Sequence, residues 1–143
     1  MTALRKTVVL DSNLVVSAFL RPHGAAAQAL DIAFGHFDVA CSRETIGELL
    51  DVLKRDKFDK YLSKTERLER LEAYIQGVIV VDVSLSVDDC LDPKDNKFLA
   101  LAIATKSVAL VSGDKRDLIS MHPYRGIAIV GIRDFIDHVE RYW

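Results

Sequence analysis

The chain has 143 residues, a mass of 16.0 kDa and a composition that is 50% hydrophobic, which is enough for one domain with its own buried core. Its formal net charge of −2 argues against a protein that grips nucleic acid through a bulk positive field, but not against a site where bound cations neutralise acidic residues. No apolar run approaches the ~20 residues of a membrane span and the first residues lack a signal-peptide core, so we expect a cytoplasmic protein without membrane contact.

Strand patterns alternate with helix patterns along the whole chain. Short β-branched or apolar runs bounded by turn residues predict strands, and apolar residues at helical spacing predict helices. The predicted strands cover residues 7–10, 37–41, 78–83, 108–111 and 127–130. The predicted helices cover residues 14–20, 25–34, 44–55, 65–77, 98–104 and 133–142. This alternation predicts a single domain over residues 1–143, a three-layer α/β/α sandwich around a central parallel sheet of five strands.

Three helix starts carry recognisable capping residues. Ser42 can cap the third predicted helix, and Ser63 with Glu66 matches a capping box. Asp92 followed by Pro93 is typical of a helix start, ahead of a mostly apolar helix that we expect to be buried. The two cysteines, Cys41 and Cys90, lack the spacing of a zinc or redox site, so we expect two buried, reduced thiols.

Four acidic residues lie where a parallel sheet places its ligands. Asp11 and Asp114 follow the first and fourth predicted strands, Asp95 lies in the first turn of the apolar helix, and Glu48 lies on the helix after the second strand. Side chains beyond the carboxyl ends of parallel strands meet at one rim of the sheet. Carboxylates held close together repel one another and need a cation, and magnesium or manganese prefers such oxygen ligands.

Each acid also has a purely structural interpretation, and no single one decides between the two. Asp11 can be a simple helix cap, and Asp92 and Asp95 can stabilise the amino end of a helix. Asp114 follows a glycine, as a turn residue does, and Glu48 faces away from the apolar stripe of its helix, as a solvated residue does.

In their joint order, the four acids resemble the acidic quartet of PIN-domain ribonucleases. The resemblance spans almost the whole chain, in blocks at residues 8–20, 42–53, 92–99 and 110–117. The third block, Asp92-Pro93-Lys94-Asp95-Asn96-Lys97-Phe98-Leu99, is similar to the branch of toxin components of toxin-antitoxin pairs.

This resemblance implies a magnesium- or manganese-dependent endoribonuclease that hydrolyses RNA phosphodiester bonds, forms a homodimer and is held inactive by a cognate antitoxin. It also implies that Asp11, Glu48, Asp95 and Asp114 are the catalytic, metal-binding acids, with Asp117 as a candidate additional ligand. Asn13 and Ser112 would be supporting polar groups, and Asp92, a feature of the toxin branch, would support the site in a role that is left open.

Basic residues near the acids have two interpretations. Lys94, Lys97, Lys115 and Arg116 can position RNA phosphates, or they can be solvated surface residues. If a dimer forms, we expect residues 54–61 or the helix after Ser63 to flank the groove that contains the four acids. Both stretches combine charges with apolar residues.

A strand-end aspartate is compatible with function classes other than a nuclease. A phosphatase with a strand-end aspartate nucleophile would need a second acid two residues later, where this chain has Asn13. A non-catalytic module that binds RNA or protein on the same fold remains the alternative, because fold alone does not determine function.

Overall fold

The computed structural model of the chain describes residues 5–113 and 116–143. The strands are Thr7–Leu10 (β1), Asp38–Cys41 (β2), Ile79–Val80 (β3), Ala109–Ser112 (β4) and Ala128–Gly131 (β5). The helices are Ser12–Leu20 (α1), Ala25–His36 (α2), Arg43–Leu53 (α3), Lys64–Gly77 (α4), Asn96–Ala104 (α5), Arg116–Ile119 (α6) and Ile132–Asp137 (α7). Short 3-10 turns precede α5 at Pro93–Asp95 and follow α7 at Val139–Tyr142.

The five strands form one parallel sheet in the order β3-β2-β1-β4-β5. The chain first builds outward from β1 through β2 to β3, and then returns to the other side of β1 to add β4 and β5. This reversal places a crevice between the carboxyl ends of β1 and β4, which is where open parallel sheets bind their ligands.

Helices cover both faces of the sheet because successive strand residues point to opposite sides. Val8 and Leu10 of β1 join the core beneath α1, α2, α3, α4 and α7, whereas Val9 joins the core beneath α5 and α6. All three side chains are at most 5% exposed, as expected for a central strand that is buried on both faces. The predicted three-layer fold with a five-stranded parallel sheet is therefore confirmed.

The predicted caps at Ser42, Ser63 and Asp92 are confirmed, but only the Ser63 half of the predicted capping box with Glu66 is formed. The Ser42 hydroxyl accepts the backbone N–H of Thr45 at 3.2 Å, and the Ser63 hydroxyl accepts that of Glu66 at 3.1 Å. The Asp92 carboxylate accepts the N–H of Lys94 at 3.0 Å, so it caps the 3-10 turn that leads into the buried helix α5.

Two predicted elements are corrected by the structure, and one helix is added. The third strand, predicted over residues 78–83, consists only of Ile79–Val80, because it lies at the sheet edge and pairs with β2 alone. The last helix, predicted over 133–142, breaks at His138, and residues 139–142 form a 3-10 turn. Helix α6 was not predicted at all, since its four residues are too few for a periodic pattern.

The cysteine prediction holds in part. Both thiols are free and Cys41 is buried, but Cys90 is partly exposed because it lies in the irregular segment between β3 and α5. Within the described ranges, none of the helices has both the length and the apolar composition needed to cross a bilayer.

Candidate active site

Asp11 lies at the crevice and is held from two directions. Its carboxylate caps α1 by accepting the backbone N–H of Leu14 at 3.0 Å. From β4, the Ser112 hydroxyl donates to Oδ2 at 2.6 Å and the Gly113 N–H donates to Oδ1 at 3.0 Å. The side chain is 1% exposed. Asp11 is therefore a helix cap, and it is also a carboxylate whose position is fixed by the neighbouring strand.

The close approach of β4 to α1 requires a glycine at position 113. A Cβ atom on Gly113 would lie 2.8 Å from the backbone nitrogen of Leu14, which is closer than real Cβ atoms come to backbone, and 3.1 Å from the Leu14 Cα, which is also tight. Only glycine lets its N–H reach Asp11 without moving α1.

Glu48 projects from α3 toward the same crevice, where two donors orient its carboxylate. The Ser12 hydroxyl donates to Oε2 at 2.5 Å, and the Lys97 ammonium of α5 donates to Oε1 at 2.9 Å. The side chains of Lys97 and Glu48 are only 24% and 22% exposed, so the ion pair is partly shielded from solvent. The interpretation of Glu48 as a solvated surface residue is therefore wrong.

Asp95 and Asp92 reach the crevice from the turn before α5. Asp95 is 2% exposed at the point where the 3-10 turn becomes the helix, and Asp92 is half-buried. Lys94, between them, is exposed, and its carbonyl oxygen accepts a hydrogen bond from Lys97 at 2.5 Å. The turn thus brings two acids and a lysine to the crevice within four residues.

These side chains line one cavity of about 190 Å³, which we call the acidic cavity. Its described lining includes Asp11, Ser12, Asn13, Glu48, Arg55, Asp92, Lys94 and Asp95. Ser112 is not among the described lining residues, but its hydroxyl orients the Asp11 carboxylate that lines the cavity. Three members of the predicted quartet, together with the predicted supporting residues Asn13 and Asp92, therefore meet where the strand order reverses.

Asp114 and Asp117 are the two remaining predicted acids. Asp114 lies outside the described residues, as does Lys115. Asp117 is exposed in α6 and is absent from the described lining of the acidic cavity. Arg116, its neighbour, is also exposed.

The donor chemistry of the acidic cavity suits a hard divalent cation, because its acids offer carboxylate oxygens and it contains no described thiol or imidazole. The described acids do not by themselves form a closed ligand set. Within residues 5–113 and 116–143, no three carboxylate, imidazole or thiol side chains are grouped closely enough to hold one ion. The metal-ligand roles of the quartet therefore stay predictions.

Two residues of the cavity were not predicted from the sequence. Ser12 follows Asp11 directly and is 7% exposed, but its contact with Glu48 spans 36 residues and has no local sequence signal. Arg55 lies just beyond α3 and reaches the cavity because the chain turns there. Its basic character was visible in the sequence, but its direction was not.

The comparisons with known proteins agree with this architecture. The family model of the PIN domain matches residues 7–116. The chain belongs to the PIN domain family. The resemblance that the acidic residues indicated is thereby confirmed, and the matched range includes β1 through β4 with the acidic cavity between them.

One curated relative of this PIN domain is the uncharacterized protein MJ1680 of Methanocaldococcus jannaschii. The two are 31% identical over 123 residues, which cover 85% of this chain and 78% of the relative. The match therefore extends over most of both proteins.

Solved structures share the fold at low sequence identity. DNA-bound VapBC from Salmonella typhimurium superposes with a TM-score of 0.61 at 16% identity, covering 91% of this chain and 99% of that one. VapC20 of Mycobacterium tuberculosis, a sarcin-ricin loop cleaving toxin, has a TM-score of 0.56 at 10% identity, covering 85% and 98%. At these identities the likeness shows a common fold.

Proposed function

We propose that this PIN domain is a divalent-metal-dependent endoribonuclease and the toxin of a toxin-antitoxin pair. The observation that carries the proposal is the meeting of Asp11, Glu48 and Asp95, from three separate elements, on the acidic cavity. A purely structural role explains why each acid has a local hydrogen-bond partner. It does not explain why all three side chains lie at the crevice where the strand order reverses.

Asp11, Glu48 and Asp95 are the proposed acids of the site, and Asp114 is the fourth by its place in the motif. We leave Asp117 out of the proposed set because it is exposed outside the cavity. Magnesium or manganese held by these carboxylates would activate a water molecule and neutralise charge on the phosphate. Of the two ions, neither is favoured by the described oxygen donors.

Residues in and around the acidic cavity orient the acids for this task. Ser112 and Gly113 fix the direction of the Asp11 carboxylate, so that it need not reorganise when substrate arrives. Ser12 and Lys97 hold one oxygen each of Glu48. Lys97 balances the negative charge of the cavity without substrate, and its ammonium is placed to contact a phosphate that enters beside Glu48.

The family and the fold relatives support the proposed biological role. A structural relative is described as a sarcin-ricin loop cleaving toxin, which supports a toxin that cuts RNA. The proposal therefore includes a cognate antitoxin that binds this chain, and the homodimer that the family resemblance implies. Two free thiols fit a reducing compartment, so we place the activity in the cytoplasm.

The test is cleavage of a pool of single-stranded and structured RNA by the purified protein with manganese, magnesium or excess chelator. We expect metal-dependent cutting that falls in the Asp11→Asn and Asp95→Asn variants by more than the ~10- to 100-fold typical of residues that only support a metal site. Asp31→Asn is the matched control, since Asp31 is exposed on α2.

The outcome separates the nuclease from the binding module. Cutting that survives chelation, or that is unchanged in both cavity variants, would refute the proposed site. RNA binding that needs no metal and is never followed by cleavage would instead indicate a non-catalytic module.

A further inference from the structure

A second cavity of about 400 Å³ opens directly beside the acidic cavity. It lies between the end of α1 and the segment that follows α3, and we call it the basic groove. The two cavities share Asn13, Val52 and Arg55 in their linings. Gly113, which holds Asp11, also borders the groove. An extended ligand bound at the acidic cavity would therefore continue into the basic groove.

Among the described lining residues, the basic groove carries only positive charges, whereas the acidic cavity carries four acids beside Arg55 and Lys94. Arg21, Arg55 and Lys57 line it and are exposed, and no carboxylate is among its described lining residues. In the part of the chain that the structure describes, neither Arg21 nor Arg55 forms an ion pair. Guanidinium groups without a protein counter-ion are suited to bind phosphate oxygens.

Aromatic side chains stand beside these cations. Tyr61 lines the groove and is 57% exposed, so its ring is accessible to a ligand. Phe58 is half-buried next to it and lies beneath the Lys57 ammonium, 5.1 Å from its ring centroid. An exposed ring among cations is typical of surfaces that bind single-stranded nucleic acid, where bases stack and the backbone meets positive charge.

Residues 55–61, which form the groove wall after α3, are held in place by Arg67 of α4. The Arg67 side chain is completely buried. Its guanidinium donates to the carbonyl oxygens of Leu53 at 2.7 Å and Arg55 at 3.2 Å, and to that of Leu62. It also donates to the Asp59 carboxylate at 2.9 Å. The groove wall is thus fixed by a folded core residue before any ligand binds, which lowers the entropy lost on binding.

From this juxtaposition we propose that the basic groove binds the nucleotides of single-stranded RNA that flank the phosphate cut at the acidic cavity. Arg21, Arg55 and Lys57 contact backbone phosphates, and Tyr61 stacks on one base. The proposal rests on the proposed function for the identity of the reaction, but it concerns a separate property, which is RNA affinity without cleavage.

The first experiment measures binding of a short fluorescein-labelled single-stranded RNA by anisotropy, with excess chelator so that nothing is cut. We expect the Arg21→Gln/Lys57→Gln variant to bind more weakly and to reduce the slope of log affinity against log salt by about 1.4, or about 0.7 for each lost phosphate contact. Lys6→Gln/Lys106→Gln is the matched control, since it removes the same charge from exposed lysines before β1 and β4, at the opposite rim.

The second experiment tests the stacking contact. We expect Tyr61→Ala to weaken binding about tenfold, and Tyr61→Phe to retain wild-type affinity because the ring remains. RNAs with one abasic position at a time locate the stacked base. At that position, removing the base should weaken binding to the wild type but not to Tyr61→Ala.

The results distinguish this proposal from the nuclease proposal. No RNA binding by the wild type, or equal affinity and salt slope for wild type and groove variants, would overturn the groove assignment, as expected if the groove serves a protein partner. Groove-dependent binding by a protein that never cuts RNA would support the groove and refute the nuclease. If groove variants bind RNA as tightly as wild type and still cut it, the nuclease would be supported and the groove assignment refuted.

Discussion

Asp11 illustrates how one residue can have both a structural and a chemical role. The end of β1 makes it a helix cap, and the sequence suffices to predict that. Its additional partners on β4 lie about a hundred residues away, with Ser112 separated from it by 101 positions. Local sequence reasoning therefore finds the acid but not the contacts that fix it.

Gly113 provides a prediction at the same scale. We expect Gly113→Ala to lower the free energy of unfolding by about 2 kcal/mol, because the new methyl group overlaps the backbone of Leu14 and forces β4 and α1 apart. The Gly113 N–H then moves away from Asp11, and RNA cleavage falls as well. Urea denaturation and the cleavage assay measure the two effects.

Gly47 is the matched control for this substitution. It lies inside α3, and a Cβ atom there would meet nothing within 4 Å. We expect Gly47→Ala to stabilise the protein by about 0.5 to 1 kcal/mol, because alanine favours the helix. Changes of the same sign in both variants would contradict the steric explanation.

Among the elements, those with strong local signals were predicted best. β1 begins and ends at its predicted residues, and α3 and α4 begin at their predicted caps. β3 was predicted too long because its apolar residues continue past Val80 and pack on the core without pairing in a strand. The periodicity of apolar residues reports burial, and burial at a sheet edge does not require a strand.

The burial of Arg67 could not be predicted from the sequence, for a different reason. On the sequence it is one of several charged residues of α4, yet it is fully buried beneath the segment between α3 and α4. A helical pattern predicts which positions face a core, but it does not reveal that a guanidinium fills one of them to bind backbone carbonyls. This contact depends on how the intervening segment folds back, which propensities do not encode.

The loss of Arg67 should destabilise the whole segment. We expect Arg67→Met to lower the free energy of unfolding by about 3 kcal/mol, because the carbonyls of Leu53 and Arg55 lose their buried donor. Arg67→Lys should recover little of this, since one ammonium cannot reach partners in several directions. Thermal unfolding should show a decrease in Tm of about 10 °C.

Lys64→Met on the same helix is the control for Arg67. Lys64 pairs with Asp56 at 3.1 Å, but both side chains are largely exposed, at 47% and 88%. Such a pair contributes less than about 1 kcal/mol. If Arg67→Met were no more destabilising than Lys64→Met, the segment would not depend on the buried guanidinium.

At the scale of the whole molecule, the net charge of −2 conceals a separation of charge. The acidic cavity and the basic groove adjoin each other and share Arg55. Composition argued against binding through a bulk positive field, and the structure agrees, because the cations of the basic groove form a local cluster. The placement of charges is a property of the fold, so composition could not predict it.

A buried pair in the core beneath α4 makes the free energy of unfolding depend on pH in the alkaline range. Cys41 and Tyr74 are buried together, with Sγ and the phenolic oxygen 3.9 Å apart. Burial raises the pKa of the Cys41 thiol to about 11 and raises the pKa of Tyr74 above its ordinary value. Both groups are neutral when protonated, so above about pH 9 the unfolded chain holds fewer protons than the folded one and stability falls as pH rises.

This predicts a specific difference between wild type and variants of the buried pair. Between pH 9 and the folded pKa of about 11, wild type should lose stability more steeply than Cys41→Ala, by up to about 3 kcal/mol. Tyr74→Phe removes the other titrating group of the pair and should also lose stability less steeply than wild type, because the pKa of Tyr74 is raised by burial. Urea denaturation at several pH values measures the slopes, and parallel curves for all three proteins would contradict the assignment.

Binding of a metal ion to the acidic cavity can be tested without any RNA. A cation that binds only the folded protein raises its stability by about 2.7 kcal/mol at a concentration of 100 times its Kd, which corresponds to an increase in Tm of about 5 to 10 °C for a chain of this size. We expect manganese to produce such a shift in wild type and in Asp31→Asn, but not in Asp11→Asn or Asp95→Asn, whose side chains line the acidic cavity. Potassium chloride at equal ionic strength controls for screening. An equal shift in all four proteins would place the ion elsewhere, and the absence of a shift in wild type at saturating manganese would contradict a metal site formed by these acids, whatever the cleavage assay shows.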